Sequence, residues 1–187
     1  MPLLGQAPSP RAIPDPVSIL KIVYYPELVL LRPTAEVGQV DDTLRALVAD
    51  MIETMHAAPG VGLAANQVGV CRRLAVIDLT VGEDARELRV LINPRIVEVR
   101  GRQVEEEGCL SVPGLNELVP RPAWVRAEAT DVEGRRYEIV GEGLMARALC
   151  HEIDHLDGRL FLHRLSNFKR ERLKRRIHKA ISEGEWV

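Results

Sequence analysis

The chain has few cysteines, no charge excess and no long apolar run, and each shortage excludes a class of protein. Its three cysteines, Cys71, Cys109 and Cys150, are an odd and sparse set. They make a poor disulfide framework and read as thiols in a reducing compartment, with at least one available as a ligand. Twenty-five Lys and Arg against 27 Asp and Glu give a net charge of −2. That balance argues against a surface built throughout for nucleic acid, so no DNA partner is expected and any basic surface is local. Without a run long enough for a signal peptide or membrane span, a soluble, cytoplasmic protein with no membrane partner is expected. No linker or internal repeat is visible, and low complexity is limited to the proline-rich start. With 187 residues and 46% hydrophobic content, one sizeable core is affordable. The expected organisation is an N-terminal extension over 1–18 followed by a single domain over 19–187.

Hydrophobic spacing outlines the elements. From Asp41, "DDTLRALVADMIETMHAAPG" sets Leu44, Leu47, Val48, Met51, Ile52 and Met55 at helical spacing, with Asp41 or Asp42 as N-cap and a stop near Pro59-Gly60. A glycine-punctuated loop, "PGVGLAANQVGV", leads to the β-like runs "RRLAVIDL", "LRVLINP" and "RIVEVRG", with hairpin-like breaks between them. After a loop reading "EEEGCLSVPG", the runs "AWVRAEATD" and "RRYEIV" are joined by a turn over Asp131–Gly134. Helical spacing returns from Glu142 to Leu156, with Gly158 as the stop. A last helix over about 166–183 carries Leu173, Ile177 and Ile181 as its apolar stripe. This order predicts an α+β fold with antiparallel β-sheets packed around the helix of residues 142–156.

That helix contains "HEIDHLDG". Residues four apart on a helix differ by about 40° around the axis and about 6 Å along it, so His151 and His155 can turn imidazole nitrogens toward one ion. Glu152, about 100° away, is free to handle protons at the metal's edge. Two ligands, an open position and a carboxylate suit metal-assisted hydrolysis; the bland alternative is a helix with two histidines on a half-buried face. The third ligand is harder to read. Gly158 is followed three residues on by Phe161 rather than His, which excludes the metzincin pattern. Glu171, Glu183 and Glu185 lie in or after a strongly basic helix, with no supporting motif for a thermolysin-like ligand. Cys150 projects about 140° from His155 and cannot share its ion, and Cys71 has no His, Asp or Glu neighbour. Cys109 stands in "EEEGCLSVPG", where its thiolate could reach across to a helix, although a loop cysteine taken alone is more often inert.

The blocks "GVGLAANQ", "EGCLS" and "HEIDH", in this order and at these separations, resemble the three signature motifs of peptide deformylases. The similarity runs from about Ile19 to the start of the terminal helix. It implies that family's α+β fold, a divalent metal held by Cys109, His151 and His155, and removal of the formyl group from N-formylmethionyl nascent peptides. It also implies Glu152 as the residue that moves protons, and Gln67 with the backbone N–H of Leu110 as donors to the formyl oxygen. Gly60 and Gly62 would let the backbone approach substrate closely, with Val61, Leu144 and Ala148 walling a methionine slot and Arg147 at its mouth. One departure is visible: the family often has an arginine or glycine a few residues after the proline, where this chain reads "GLNELVPR".

A Cys and two His suit Fe²⁺, the expected cellular metal, and equally Zn²⁺, Ni²⁺ or Co²⁺. "FKRERLKRRIHK", residues 168 to 179, holds seven Lys or Arg and one Glu. It reads either as a solvated helix face or as a dock on ribosomal RNA. Two other functions stay open on the residues alone: a metallopeptidase or other amidase with the same ligands, and a ribosome-binding protein with a closed structural metal.

Overall fold

The computed structural model describes residues 17–187, so the expected proline-rich extension lies, except for Val17 and Ser18, outside the described residues. Helix α1 is Asp42–Ala57, with the Asp41 side chain accepting from the Leu44 N–H at its start. Strands follow at β1 (Gly62–Ala64), β2 (Leu74–Ile77), β3 (Arg89–Arg100), β4 (Gln103–Cys109), β5 (Val112–Arg121), β6 (Trp124–Thr130) and β7 (Arg136–Glu142). Helices α2 (Gly143–Leu156) and α3 (Asn167–Glu183) close the order. One antiparallel sheet has the order β1-β2-β3-β6-β7, and β4-β5 form a separate hairpin. This is the α+β arrangement the patterning predicts.

Burial explains why these residues take these forms. In β6, Val125, Ala127 and Ala129 are buried while the residues between them are half-buried, the alternation of a strand with one covered face. Their small side chains meet Ala146, Leu149, Ile153 and Leu156 of α2 in one cluster. In β2 all four residues are buried, because the sheet is covered on both faces there. Ala75 and Ile77 join the α2 cluster, and Leu74 and Val76 join Leu44, Val48, Met51 and Met55 of α1. A third cluster holds Val112, Leu115 and Val119 of β5 against Phe161, Leu162, Leu173 and Ile177. Helix α2 therefore lies against the large sheet, and the β4-β5 hairpin is carried to its opposite side.

Several local readings differ from the structure. "LRVLINP" and "RIVEVRG" are not two strands with a break but the single strand β3, whose pairing with β6 shifts register between Ile92 and Arg95. Pro94 has no N–H to donate and sits in that irregularity, where Asn93, at φ 51°, exchanges side-chain hydrogen bonds with the Val37 backbone. "EEEGCLSVPG" is not an open loop but the tight end of the β4-β5 hairpin, with Cys109 paired to Val112. The glycine-punctuated segment contains β1. On α3, Leu173 and Ile177 are buried but Ile181 is 41% exposed, so the apolar stripe is one turn shorter than expected.

Gly158 ends α2 as anticipated, at φ +72°, and a Cβ there would lie 2.6 Å from the Arg32 carbonyl carbon. Both the left-handed backbone and the overlap with another backbone segment penalise a side chain. Gly158→Ala should destabilise the fold by about 2–4 kcal/mol, read as a lower urea midpoint at unchanged m; a shift below about 0.5 kcal/mol would show that the Arg32 segment yields freely.

Candidate active site

Helical periodicity sets the two imidazoles of α2 edge to face, with ring centroids 4.9 Å apart. Their Nε2 atoms are 3.2 Å apart. The hairpin end brings Cys109 Sγ to 3.1 Å from His155 Nε2, and the three ligand atoms all lie within 4.8 Å of one another. Two imidazole nitrogens bound to one tetrahedral ion at 2.0–2.1 Å would be about 3.3 Å apart, so this spacing fits a common cation. The electrostatics agree. Burial, with the neighbouring charge of His151, holds His155 well below the usual histidine range, keeping it neutral as a ligand must be. Burial also opposes charge on His151, but hydrogen bonds with Cys109 and Glu107 outweigh it and raise that histidine well above its ordinary value. Surroundings negative enough to hold a proton there favour a cation equally.

Behind the ligands runs a chain of charges that is buried as far as Asp154 and reaches the surface at Arg164. His151 Nδ1 donates to Glu107 Oε1 at 2.6 Å. Arg121 grips Glu107 with two nitrogens, at 3.0 and 2.6 Å, and reaches Asp154 Oδ2 at 2.5 Å. Arg164 closes the chain on Asp154 through Nε at 2.9 Å and through Nη2. Burial alone would raise the Glu107 carboxyl, yet His151 and Arg121 hold it at about 2. Glu107 thus fixes the tautomer and orientation of His151.

Glu152 is 3% exposed. Burial pushes its carboxyl up to about 7, and Oε2 has no hydrogen-bond partner among the described residues. Gln67 is held at both ends: Oε1 accepts from Ala64 N–H at 2.9 Å, while Nε2 donates to Cys109 Sγ at 3.6 Å and Ser111 Oγ at 3.2 Å.

These groups meet at a cavity of about 270 Å³. Pro59, Gly60, Val61, Gly62 and Gln67 line it from the segment after α1, and Glu106 to Leu110 from the hairpin. Leu144, Arg147, Ala148, His151 and Glu152 line it from α2. Every residue singled out from the three sequence blocks is at this cavity except His155, which is fully buried. The glycines have a reason that the sequence did not disclose. A Cβ on Gly62 would stand 2.3 Å from Glu152 Oε1, and one on Gly60 would stand 2.9 Å from Leu110 Cδ1. Gly62 is demanded by the buried Glu152 carboxylate itself, whereas at Gly60 the obstacle is only the movable end of the Leu110 side chain. Of the other cysteines, Cys71 is exposed and Cys150 buried; burial raises the Cys150 thiol to about 11, as suits a packing residue.

Sequence reasoning missed Glu107, Ser111, Arg121, Asp154 and Arg164. One signal was available: Glu107 is two residues from Cys109, the spacing of one strand face, but reading the block as a loop hid it.

A Cys/His/His cluster beside a buried carboxylate, in an α+β fold, defines a metal-dependent hydrolase. Residues 19–171 match the family model described as polypeptide deformylase. The chain is 50% identical over 168 residues to a peptide deformylase of Acidobacterium capsulatum, covering 90% of this chain and 99% of that one. It is similar to the crystal structure of a peptide deformylase from Legionella pneumophila, with TM-score 0.82 and 44% identity over 89% of this chain and 98% of that one. It is likewise similar to a peptide deformylase of Ehrlichia chaffeensis solved in complex with actinonin, with TM-score 0.79 and 40% identity over 87% and 98% of the two chains. The chain belongs to the polypeptide deformylase family.

The charge chain gives this site its test. Arg121 has a side chain 2% exposed between Glu107 and Asp154, so Arg121→Met leaves two buried carboxylates without their shared cation. A loss of about 3–5 kcal/mol in unfolding free energy is expected, with metal affinity weakened by about 10-fold as Glu107 loses its anchor. Unfolding and metal-competition titrations that both match the parent protein would remove this network from the account of the site.

Proposed function

We propose that the chain removes the N-formyl group from the formylmethionine that begins newly made peptides. The observation that carries this reading is the convergence of Cys109, His151 and His155 beside the unpaired carboxylate of Glu152, in a cavity with apolar walls. A divalent ion held by the three ligands, Fe²⁺ in the cell with Zn²⁺, Ni²⁺ or Co²⁺ as alternatives, supplies Lewis acidity and a nucleophile at neutral pH. Glu152, poised near neutrality by burial, takes a proton from water and returns it to the departing amine. Gln67 Nε2 and the Leu110 N–H donate to the formyl oxygen as it gains charge. Ala64 holds Oε1 of Gln67 and so fixes the direction of the amide, and Nε2 exchanges its long 3.6 Å contact with Cys109 Sγ for the formyl oxygen. Val61, Leu144 and Ala148 take the methionine side chain, while Gly60 and Gly62 keep the backbone beside it low. A metallopeptidase would share the ligands; the deformylase relatives favour the formamide.

The expected outcome is hydrolysis of formyl-Met-Ala-Ser with no release from the acetyl counterpart. Glu152→Gln should retain its metal by elemental analysis and lose at least about 100-fold in kcat, because only proton transfer is removed. Near-parental turnover in a metal-loaded variant would take the role from Glu152. Actinonin, present in the Ehrlichia chaffeensis structure, is the competitor to try at the same cavity.

Residues 19–187 are proposed to act as one cytoplasmic catalytic domain; among the described residues no helix is long and apolar enough to cross a membrane. The basic helix α3 is proposed to dock on the ribosome. Lys169 and Arg172 are engaged by Glu117, whereas Arg175, Arg176 and Lys179 are exposed. Since Leu173 and Ile177 are buried, deleting the helix would open the core, and point changes are the better probe. Lys174, Arg175 and Lys179 replaced by Gln should weaken ribosome co-sedimentation and flatten its salt dependence. Unchanged affinity across a salt series would favour a merely solvated face.

A further inference from the structure

Strand β7 is the last strand of the five-stranded sheet, and none of its residues lines the cavity. In an antiparallel pair, alternate residues turn both backbone groups toward the neighbouring strand. The β6-β7 pairing is pinned at its two ends: the Asp131 N–H donates to the Arg135 carbonyl at 2.9 Å, and the Gly143 N–H donates to the Ala123 carbonyl at 3.1 Å. Counting in twos between these bonds, Tyr137, Ile139 and Gly141 face β6, while Arg136, Glu138, Val140 and Glu142 turn their N–H and C=O away from the sheet. No backbone bond reaches those outward groups from another element among the described residues. The side chains of the same residues are exposed, Val140 by 53%. Such a row of free donors and acceptors is a template for a further strand.

The edge sequence, "RYEIVGE", says which strand fits. Charges ordinarily blunt an edge, because an added strand brings like charges together. Here the segment complements itself when reversed. About a two-fold axis at Ile139, Arg136 lies opposite Glu142 of a second copy, and Glu138 lies opposite Val140. Every outward N–H and C=O then finds a partner, and the Arg–Glu contact occurs once at each end. Glu138 keeps its 2.7 Å ion pair with Arg126 of β6. Sliding by two residues one way sets Glu138 against its own copy, and sliding the other way sets Glu138 against Glu142, both unfavourable.

We propose that β7 is a self-association edge, through which two copies of the chain pair about Ile139 into one continuous sheet with two-fold symmetry. Sedimentation velocity of the metal-loaded protein in low-salt buffer, over about 1–100 µM, should show a monomer–dimer equilibrium. Arg136→Glu and Glu142→Arg each place like charges together at both ends, so each should raise the dimer Kd at least about 10-fold. The double variant Arg136→Glu/Glu142→Arg restores the complement and should return Kd to within about 3-fold of the parent. Val140→Pro removes an outward N–H that β6 does not use, and should give a monomer with the parental circular dichroism spectrum. A monomer throughout the concentration range would overturn the proposal, as would a dimer indifferent to Val140→Pro. Failure of the double variant to recover would overturn it too, since the two changes compensate only in this register.

Discussion

The contact on which the site depends is the grip of Arg121 on Glu107 and Asp154, which ties the β4-β5 hairpin to α2. Cys109 is at the tip of that hairpin and the two histidines are on the helix, so the three ligand atoms converge only if the two elements keep their mutual placement. Apolar packing alone does not provide this, because it is non-directional and tolerates small slides. The bidentate Arg121–Glu107 pair fixes both groups within the hairpin, and from there the single Arg121–Asp154 bond and the Glu107–His151 bond hold the helix by directional contacts. Burying these charges costs desolvation that their attraction roughly offsets. The network therefore acts as a register pin more than as a source of net stability. Buried Arg121 and the half-exposed Arg164 side chain balance the buried Glu107 and Asp154, while His151 is held by Glu107.

Two carboxylates line one cavity with opposite protonation behaviour, and their surroundings explain it. Glu107 is buried but receives hydrogen bonds from His151 and Arg121, which hold it at about 2. Glu152 is buried beside Gly62 with an unpaired oxygen, and burial lifts it to about 7. The first is a permanent anion that orients a ligand, and the second can exchange a proton near neutral pH. The glycine at 62 belongs to this division of labour, since any side chain there would displace the Glu152 carboxylate.

Helix α2 serves core and site at once through its period. Ala146, Leu149, Ile153 and Leu156 face the sheet, while Leu144, Arg147, Ala148, His151 and Glu152 face the cavity. The alanines of β6 allow the helix to lie close, so the histidines are carried on a backbone with little freedom to move. Rigid support of this kind is what a metal geometry requires.

The residues by themselves determined what depends on local spacing. A period of 3.6 puts His151 and His155 on one face, Asp41 caps α1 through its own third residue, and Gly158 stops α2; each follows from interactions within a few residues. The resemblance of three short blocks supplied the family. Spacing excluded Cys150 but left open whether Cys109 joins the histidines, because Cys109 is 46 positions from His155 and no local pattern carries that distance. Three consecutive glutamates before Cys109 masked the period of β4, and the bulge between Glu107 and Cys109 disturbed it further. The roles of Glu107, Arg121 and Gly62 were decided only by the tertiary structure. A charge is worth burying, and a missing Cβ is required, only once the partner that faces it from another element is in place.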